Sequence, residues 1–168
     1  MTNGTSSHEA IQKAGELIQG IKVAMLTTLE DDGSLHSRPM ATQEAEFDGT
    51  LWFFTRAGTA KVHEVEHDQH VNISYADPAG NRYVSVSGRA QLVRDKIKVE
   101  ELWSPVLKAW FPDGLDDPEL ALLKVSVEKA EYWDAPSSTV VHIVGVAKAL
   151  ATGQPYEPGD NEKIDLAP

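Results

Sequence analysis

Cysteine is absent from the 168 residues, which excludes thiol nucleophiles, disulfide staples and thiolate metal ligands. Basic residues are scarce: 15 Lys and Arg stand against 26 Asp and Glu, a formal net charge of −11. Such a surface repels a phosphate backbone, and no Lys/Arg-rich run supplies a local exception, so no nucleic-acid partner is expected. Long apolar runs are missing as well. Nowhere do about 18 apolar residues follow one another, and residues 1–7 show neither a basic start nor an apolar stretch. The expectation is a cytoplasmic protein without a membrane partner. What is present is 41% hydrophobic and 24% charged residues, ordinary for one folded domain, in a chain long enough to bury roughly 70% of its unfolded surface.

The pattern along the chain predicts a mainly β fold with flanking helices. Ser6 and Glu9 have capping-box spacing, and Ile11, Ala14, Leu17, Ile18 and Ile21 recur at helical intervals. Residues 22–29 then read as a strand, with Asp32-Gly33 turning into a second and Asp48-Gly49 into a third over residues 51–54, a three-strand meander. Thr59 is placed to cap a short helix ending near His67. Strands are expected at 71–75, 82–88 and 90–93, followed by a helix capped by Asp95 and interrupted by Pro105. Residues 122–133 read as one more strand, and Val140, Val141, Val144, Ala147, Leu150 and Ala151 as a last helix before Gly153, expected to pack on the sheet. Many short antiparallel strands favour a small closed barrel, which has no exposed strand edges. Residues 8–152 form the domain. Residues 1–7 are expected to be mobile or disordered, and residues 153–168 to be a mobile acidic tail or a partner-bound arm.

Two constellations could carry chemistry. His63-Glu64-Val65-Glu66-His67 matches the zinc-protease pattern H-E-x-x-H on a helix. That helix has only Val62 and Val65 to bury, whereas a zinc-protease helix is a buried central element, so a solvated charged face is the expected state and metal ligation is not. The second constellation joins Ser37-Arg38-Pro39-Met40-Ala41-Thr42 to Phe54-Thr55-Arg56-Ala57-Gly58-Thr59-Ala60-Lys61. A guanidinium, two hydroxyls, an ammonium and a helix N-terminus can hold a phosphate. Equally, Arg38 and Lys61 can pair with surface carboxylates. Residue chemistry alone leaves both readings open.

These two arms, with LKAWFPDGLDDPELALLKV and EYWDAPSS downstream, resemble the pyridoxamine-phosphate-oxidase-like split-barrel flavoproteins, in particular the bacterial general stress protein branch. The resemblance spans residues 8–152. It implies a six-stranded antiparallel split β-barrel that forms a homodimer with two FMN sites at the interface. Carried onto this sequence, it places Arg38 and Lys61 on the FMN phosphate with Thr55 and Thr59 as hydroxyl donors, Pro39, Met40, Ala41, Thr42 and Gln43 along the flavin edge, and Phe54 beside it. Tyr83 is either a further contact or a core aromatic. Trp52 is expected in the core, and Trp110 and Trp133 are either buried or stacked near the ring. The oxidases have cations where this chain has Gln43 and Ala60, and their C-terminal substrate-binding strand and Arg-rich motif have no counterpart here, so oxidation of pyridoxamine phosphate is not expected. FAD stays open beside FMN. The function implied is a flavin-dependent oxidoreductase using NADH or NADPH, with a non-catalytic flavin buffer or redox sensor as the alternative; no catalytic residue is named.

Overall fold

Along β1 (Val23–Leu29), Ala24, Leu26 and Thr28 are buried while Val23 and Met25 face outward, the alternation a pleated strand imposes. The computed structural model describes residues 7–135, 139–157 and 159–166. Gly33, at φ +83°, makes the turn into β2 (Leu35–Ala41), and the Asp32 carboxylate accepts from the Ser34 N–H at 2.9 Å. The remaining elements are α1 (Ser7–Ile18), β3 (Thr50–Arg56), α2 (Ala60–His67), β4 (His70–Asp77), β5 (Arg82–Val93), α3 (Lys96–Leu102), two 3-10 turns, β6 (Leu120–Asp134), α4 (Thr139–Thr152) and β7 (Asp160–Asp165).

All pairings are antiparallel, and the sheet order is β2-β1-β4-β5-β6-β3 with β7 also on β6. The meander expected from three consecutive strands therefore stops at two. β3 crosses to the far side because it is apolar on both faces: Leu51 and Phe53 point inward, while Trp52 and Phe54 point outward. Only a place beside β6 covers both. There Phe53 joins the inner core with Leu26, Ile73, Val86 and Leu123, and Phe54 packs in a second cluster with Val99, Leu107 and Phe111 beneath α3 and the first 3-10 turn. The sheet curls, but its edge strands β2 and β3 are not hydrogen-bonded to each other. The closed barrel is thus a split one.

Residues 82–93, read as two strands, form one, with a register irregularity between Ser87 and Gly88. A Cβ at Gly88 would lie 2.1 Å from the Ser126 carbonyl oxygen, so the close approach of β5 and β6 requires glycine there. Asp95 caps α3 as expected, accepting from the N–H groups of Ile97 and Lys98.

Two C-terminal expectations change. α4 does not lie on the sheet among the described residues: Ile143, Val144, Val146 and Leu150 are all exposed, Val144 and Leu150 belonging to the apolar side on which that expectation rested. It is tethered instead through His142, whose Nε2 meets Asn81 Nδ2 at 2.8 Å and whose Nδ1 meets the Tyr156 hydroxyl at 2.5 Å. The acidic tail is not a loose segment either. Residues 160–165 form β7, and Ile164, opposite Ala130, enters the inner core. One buried isoleucine and a full ladder outweigh the unfavourable composition of the segment. Residues 1–6 and 136–138, on which the N-terminal expectation and part of the EYWDAPSS motif fall, lie outside the described residues. Chemical denaturation of Ile164→Ala is expected to show a loss of about 2 to 3 kcal/mol; an unchanged unfolding curve would mean that β7 adds nothing to the fold.

Candidate functional site

Arg38 lies opposite Leu26 in the β1–β2 register, and Leu26 is fully buried, so the guanidinium starts from the inner face of the sheet. Its Nη1 donates to Thr28 Oγ1 at 2.6 Å and its Nη2 to Glu64 Oε2 at 2.7 Å. The Thr28 hydroxyl in turn donates to the same carboxylate oxygen at 2.5 Å. Glu64 is almost completely buried on α2. Burial alone would push its carboxyl pKa up, but the Thr28 hydroxyl and the Arg38 guanidinium outweigh burial and hold it below the usual value.

Lys61 lies three residues before Glu64, on the same side of α2. It is half-buried and makes no hydrogen bond or ion pair among the described residues. Burial lowers its pKa most, the Arg38 charge lowers it further, and Glu64 opposes both. Next to it, Thr59 precedes the helix without a side-chain cap; its hydroxyl donates to the Arg56 carbonyl at 2.9 Å and lies 3.4 Å from Thr55 Oγ1. The N–H groups of Ala60 and Lys61 open the helix and find no backbone acceptor among the described residues. An unpaired ammonium beside free helix-terminal donors is suited to an anion of phosphate size. Of the two expected cations, Lys61 is unengaged, whereas the Arg38 charge is already shared with Glu64.

The flavin-edge residues follow from Arg38 along β2. Pro39 is exposed, Met40 is buried against the core, and Ala41, Thr42 and Gln43 are partly buried. Thr42 is pinned through its N–H to the Lys22 carbonyl at 3.0 Å and through its hydroxyl to the Ile21 carbonyl at 2.5 Å. Phe54 does not join them. Its ring packs on the outer side of β3, 5.8 Å from Trp103 and 6.2 Å from Phe111, so only its backbone is left for a ligand. Trp52 is half-buried beneath the ammonium groups of Lys98 and Lys124, while Trp110 and Trp133 are exposed. Trp133 pairs in register with exposed Tyr83, and these two, with Val23 and Met25, make an uncovered apolar band on the outer face of the sheet.

The H-E-x-x-H pattern is divided by the fold. Glu64 turns inward to Arg38, while His63 and His67 stay exposed, His63 lying 3.5 Å from Asp31. A different trio, Glu30, His36 and Glu64, brings ligand-type atoms within 4.8 Å of one another, but Glu64 already holds a guanidinium. The role of Glu64 was missed in the sequence, although it sits between Val62 and Val65, the two apolar residues that mark the buried side of α2. A groove of about 870 Å³ between α1, residues 42–47 and β3 touches the expected site residues only at Thr42 and Gln43.

A model of the family described as "Pyridoxamine 5'-phosphate oxidase like" matches residues 9–157. General stress protein 26 of Bacillus subtilis is 32% identical over 136 residues, covering 79% of this chain and 94% of that protein. A putative general stress protein 26 from Jannaschia sp. CCS1 superposes with TM-score 0.76 at 23% identity over 95% of this chain and 99% of its own, a likeness of fold. The general stress FMN/FAD binding protein of Xanthomonas citri superposes with TM-score 0.64 at 29% identity, covering 76% of this chain and 89% of its own.

The Arg38–Glu64 pair has a pH signature. Because the folded-state carboxyl is held below its ordinary value of 4.5, its stabilisation is complete above that value and is lost as pH falls through the lowered one. Glu64→Gln, which leaves the guanidinium without its counter-charge, is expected to cost about 3 kcal/mol at neutral pH. Denaturation curves of the two proteins should converge as pH drops below the carboxylate range, and a gap independent of pH would rule the ion pair out as its source.

Proposed function

The chain belongs to the pyridoxamine 5'-phosphate oxidase-like family, and from that premise we propose that it is a flavin-binding protein of the general-stress type, with FMN as its cofactor. The observation that carries this reading is Lys61: a half-buried ammonium with no partner among the described residues, at the open end of a helix. Lys61 and the first-turn N–H groups of α2 hold the phosphate, with the Thr59 hydroxyl turning from the Arg56 carbonyl to donate to it. Arg38 contributes the part of its charge that Glu64 leaves uncompensated. The unpaired edge of β2 from Pro39 to Gln43 offers backbone donors and acceptors to the flavin ring system. A bound flavin supplies hydride and single-electron chemistry that no side chain here provides.

The finer reading is an oxidoreductase that takes its electrons from NADH or NADPH. A homodimer with two equivalent flavin sites fits the uncovered band of Val23, Met25, Tyr83 and Trp133, together with the bare apolar surface of α4, since both await a cover. Pyridoxamine phosphate is not the proposed substrate, because the Arg-rich motif with which the oxidases hold it has no counterpart in this sequence. One observation favours the alternative of a non-catalytic flavin buffer or redox sensor: from Pro39 to Gln43 the edge has no titratable side chain, so a proton transfer would have to come from substrate or solvent. Anaerobic mixing with NADPH separates the two readings, since bleaching of the flavin band supports the enzyme and an unchanged band supports the buffer.

Lys61→Ala is expected to weaken FMN binding by about 1.5 to 3 kcal/mol, the contribution of a hydrogen bond to a charged group. Flavin fluorescence titration of the stripped protein measures it. Equal affinity in the wild type and the variant would show that the phosphate lies elsewhere.

A further inference from the structure

Tyr75, on the inner face near the end of β4, is 3% exposed, yet its hydroxyl makes no hydrogen bond among the described residues. No side-chain oxygen among the described residues is both fully enclosed and unpaired, so this hydroxyl reaches open space. The opening that Tyr75 lines is the groove of about 870 Å³ between α1, the β2–β3 connection and β3. A cavity of this size lies within the range that encloses small organic molecules. Its floor is apolar, with Ile21, Phe47, Leu51 and Phe53 beside the tyrosine ring. Among the described residues its rim is acidic: Glu16, Glu44 and Glu46 line it beside His8, and the one ammonium described there, Lys22, is paired with Glu44.

We propose that this groove is a second ligand site, separate from the phosphate-holding end of the barrel, for a small aromatic molecule that is neutral or cationic and carries a hydrogen-bond acceptor. The apolar floor takes the ring, the Tyr75 hydroxyl donates to the acceptor, and the acidic rim excludes anions. Open to the groove but without a protein partner, the hydroxyl is free to exchange water for an acceptor brought by the ligand. Burial keeps the hydroxyl protonated, hence a donor, well beyond the ordinary tyrosine range. Thr42 and Gln43, which border the groove, also end the proposed flavin edge, so the ligand would sit next to the flavin without sharing the phosphate contacts.

The test uses the full chain stripped of flavin. Aminomethylcoumarin, neutral with a lactone carbonyl, is titrated by its fluorescence, and its acetic acid derivative serves as the anionic counterpart. Saturable binding at one site per chain is expected, with the anion weaker and Tyr75→Phe weaker by about five- to tenfold, the worth of one hydrogen bond. Because the hydroxyl has no protein partner, Tyr75→Phe should keep its thermal midpoint. Ile11→Trp, which fills the groove from α1, should abolish binding, whereas Lys61→Ala should leave it unchanged. That last pairing separates this site from the flavin reading, since FMN affinity falls in Lys61→Ala and coumarin affinity in Tyr75→Phe. Coumarin binding equal in wild type, Tyr75→Phe and Ile11→Trp, or no binding at all, would overturn the proposal.

Discussion

A single buried carboxylate organises the end of the barrel where three elements meet. Glu64 on α2 receives the guanidinium of Arg38 from β2 and the hydroxyl of Thr28 from β1, so the helix is bolted to the sheet's free edge by polar contacts. Val62 and Val65 flank this contact and keep water from it. The arrangement fixes where α2 begins, and with it where Lys61 and the open N–H groups point. It also explains the shared charge. A cation meant only for an external anion would be left uncompensated inside the protein whenever that anion is absent, at a cost far larger than a surface residue bears. With Glu64 in place, Arg38 is settled in either state, and Lys61, closer to solvent, is the group whose charge remains available.

Much of this was readable in the sequence, and the misses have physical causes. The β1–β2 hairpin follows from Asp32-Gly33, and the cap of α3 from Asp95, because turn and cap chemistry is local. The order of the strands is not local. Trp52 and Phe54 announce a strand by propensity, but only the apolar character of both its faces says that it must leave its neighbour and seek cover beside β6. The last helix was legible as a helix, but its helical-spacing pattern also suggested packing on the sheet, whereas Ile143, Val144 and Leu150 stand exposed. The tail was misjudged by composition: one isoleucine at the right register decides its place, and a count of charges does not register that.

The same limits hold for the site. Arg38, Thr55, Thr59 and Lys61 could be named from two short segments, whereas Thr28 comes from a strand without a motif and Glu64 from a motif whose pattern points to a different chemistry. Tyr75 lay in an unremarkable strand pattern. Its interest comes from a missing partner, and a missing partner is visible only once every neighbour is in place.

β6 is shared in an unusual way. One edge is paired along its length with β5, while the other is divided between β3, over residues 120–126, and β7, over residues 129–134. Without the last strand, half of a long central ribbon would present bare N–H and C=O groups beside Trp133 and Tyr132, a template on which another chain could add itself. The charged β7 therefore works as a guard against aggregation: Asp160, Glu162 and Lys163 replace an adhesive edge with a soluble one. A protein shortened after α4 would keep its fold class and lose that protection, so its failure would show in the concentration dependence of its solubility before it showed in its spectrum.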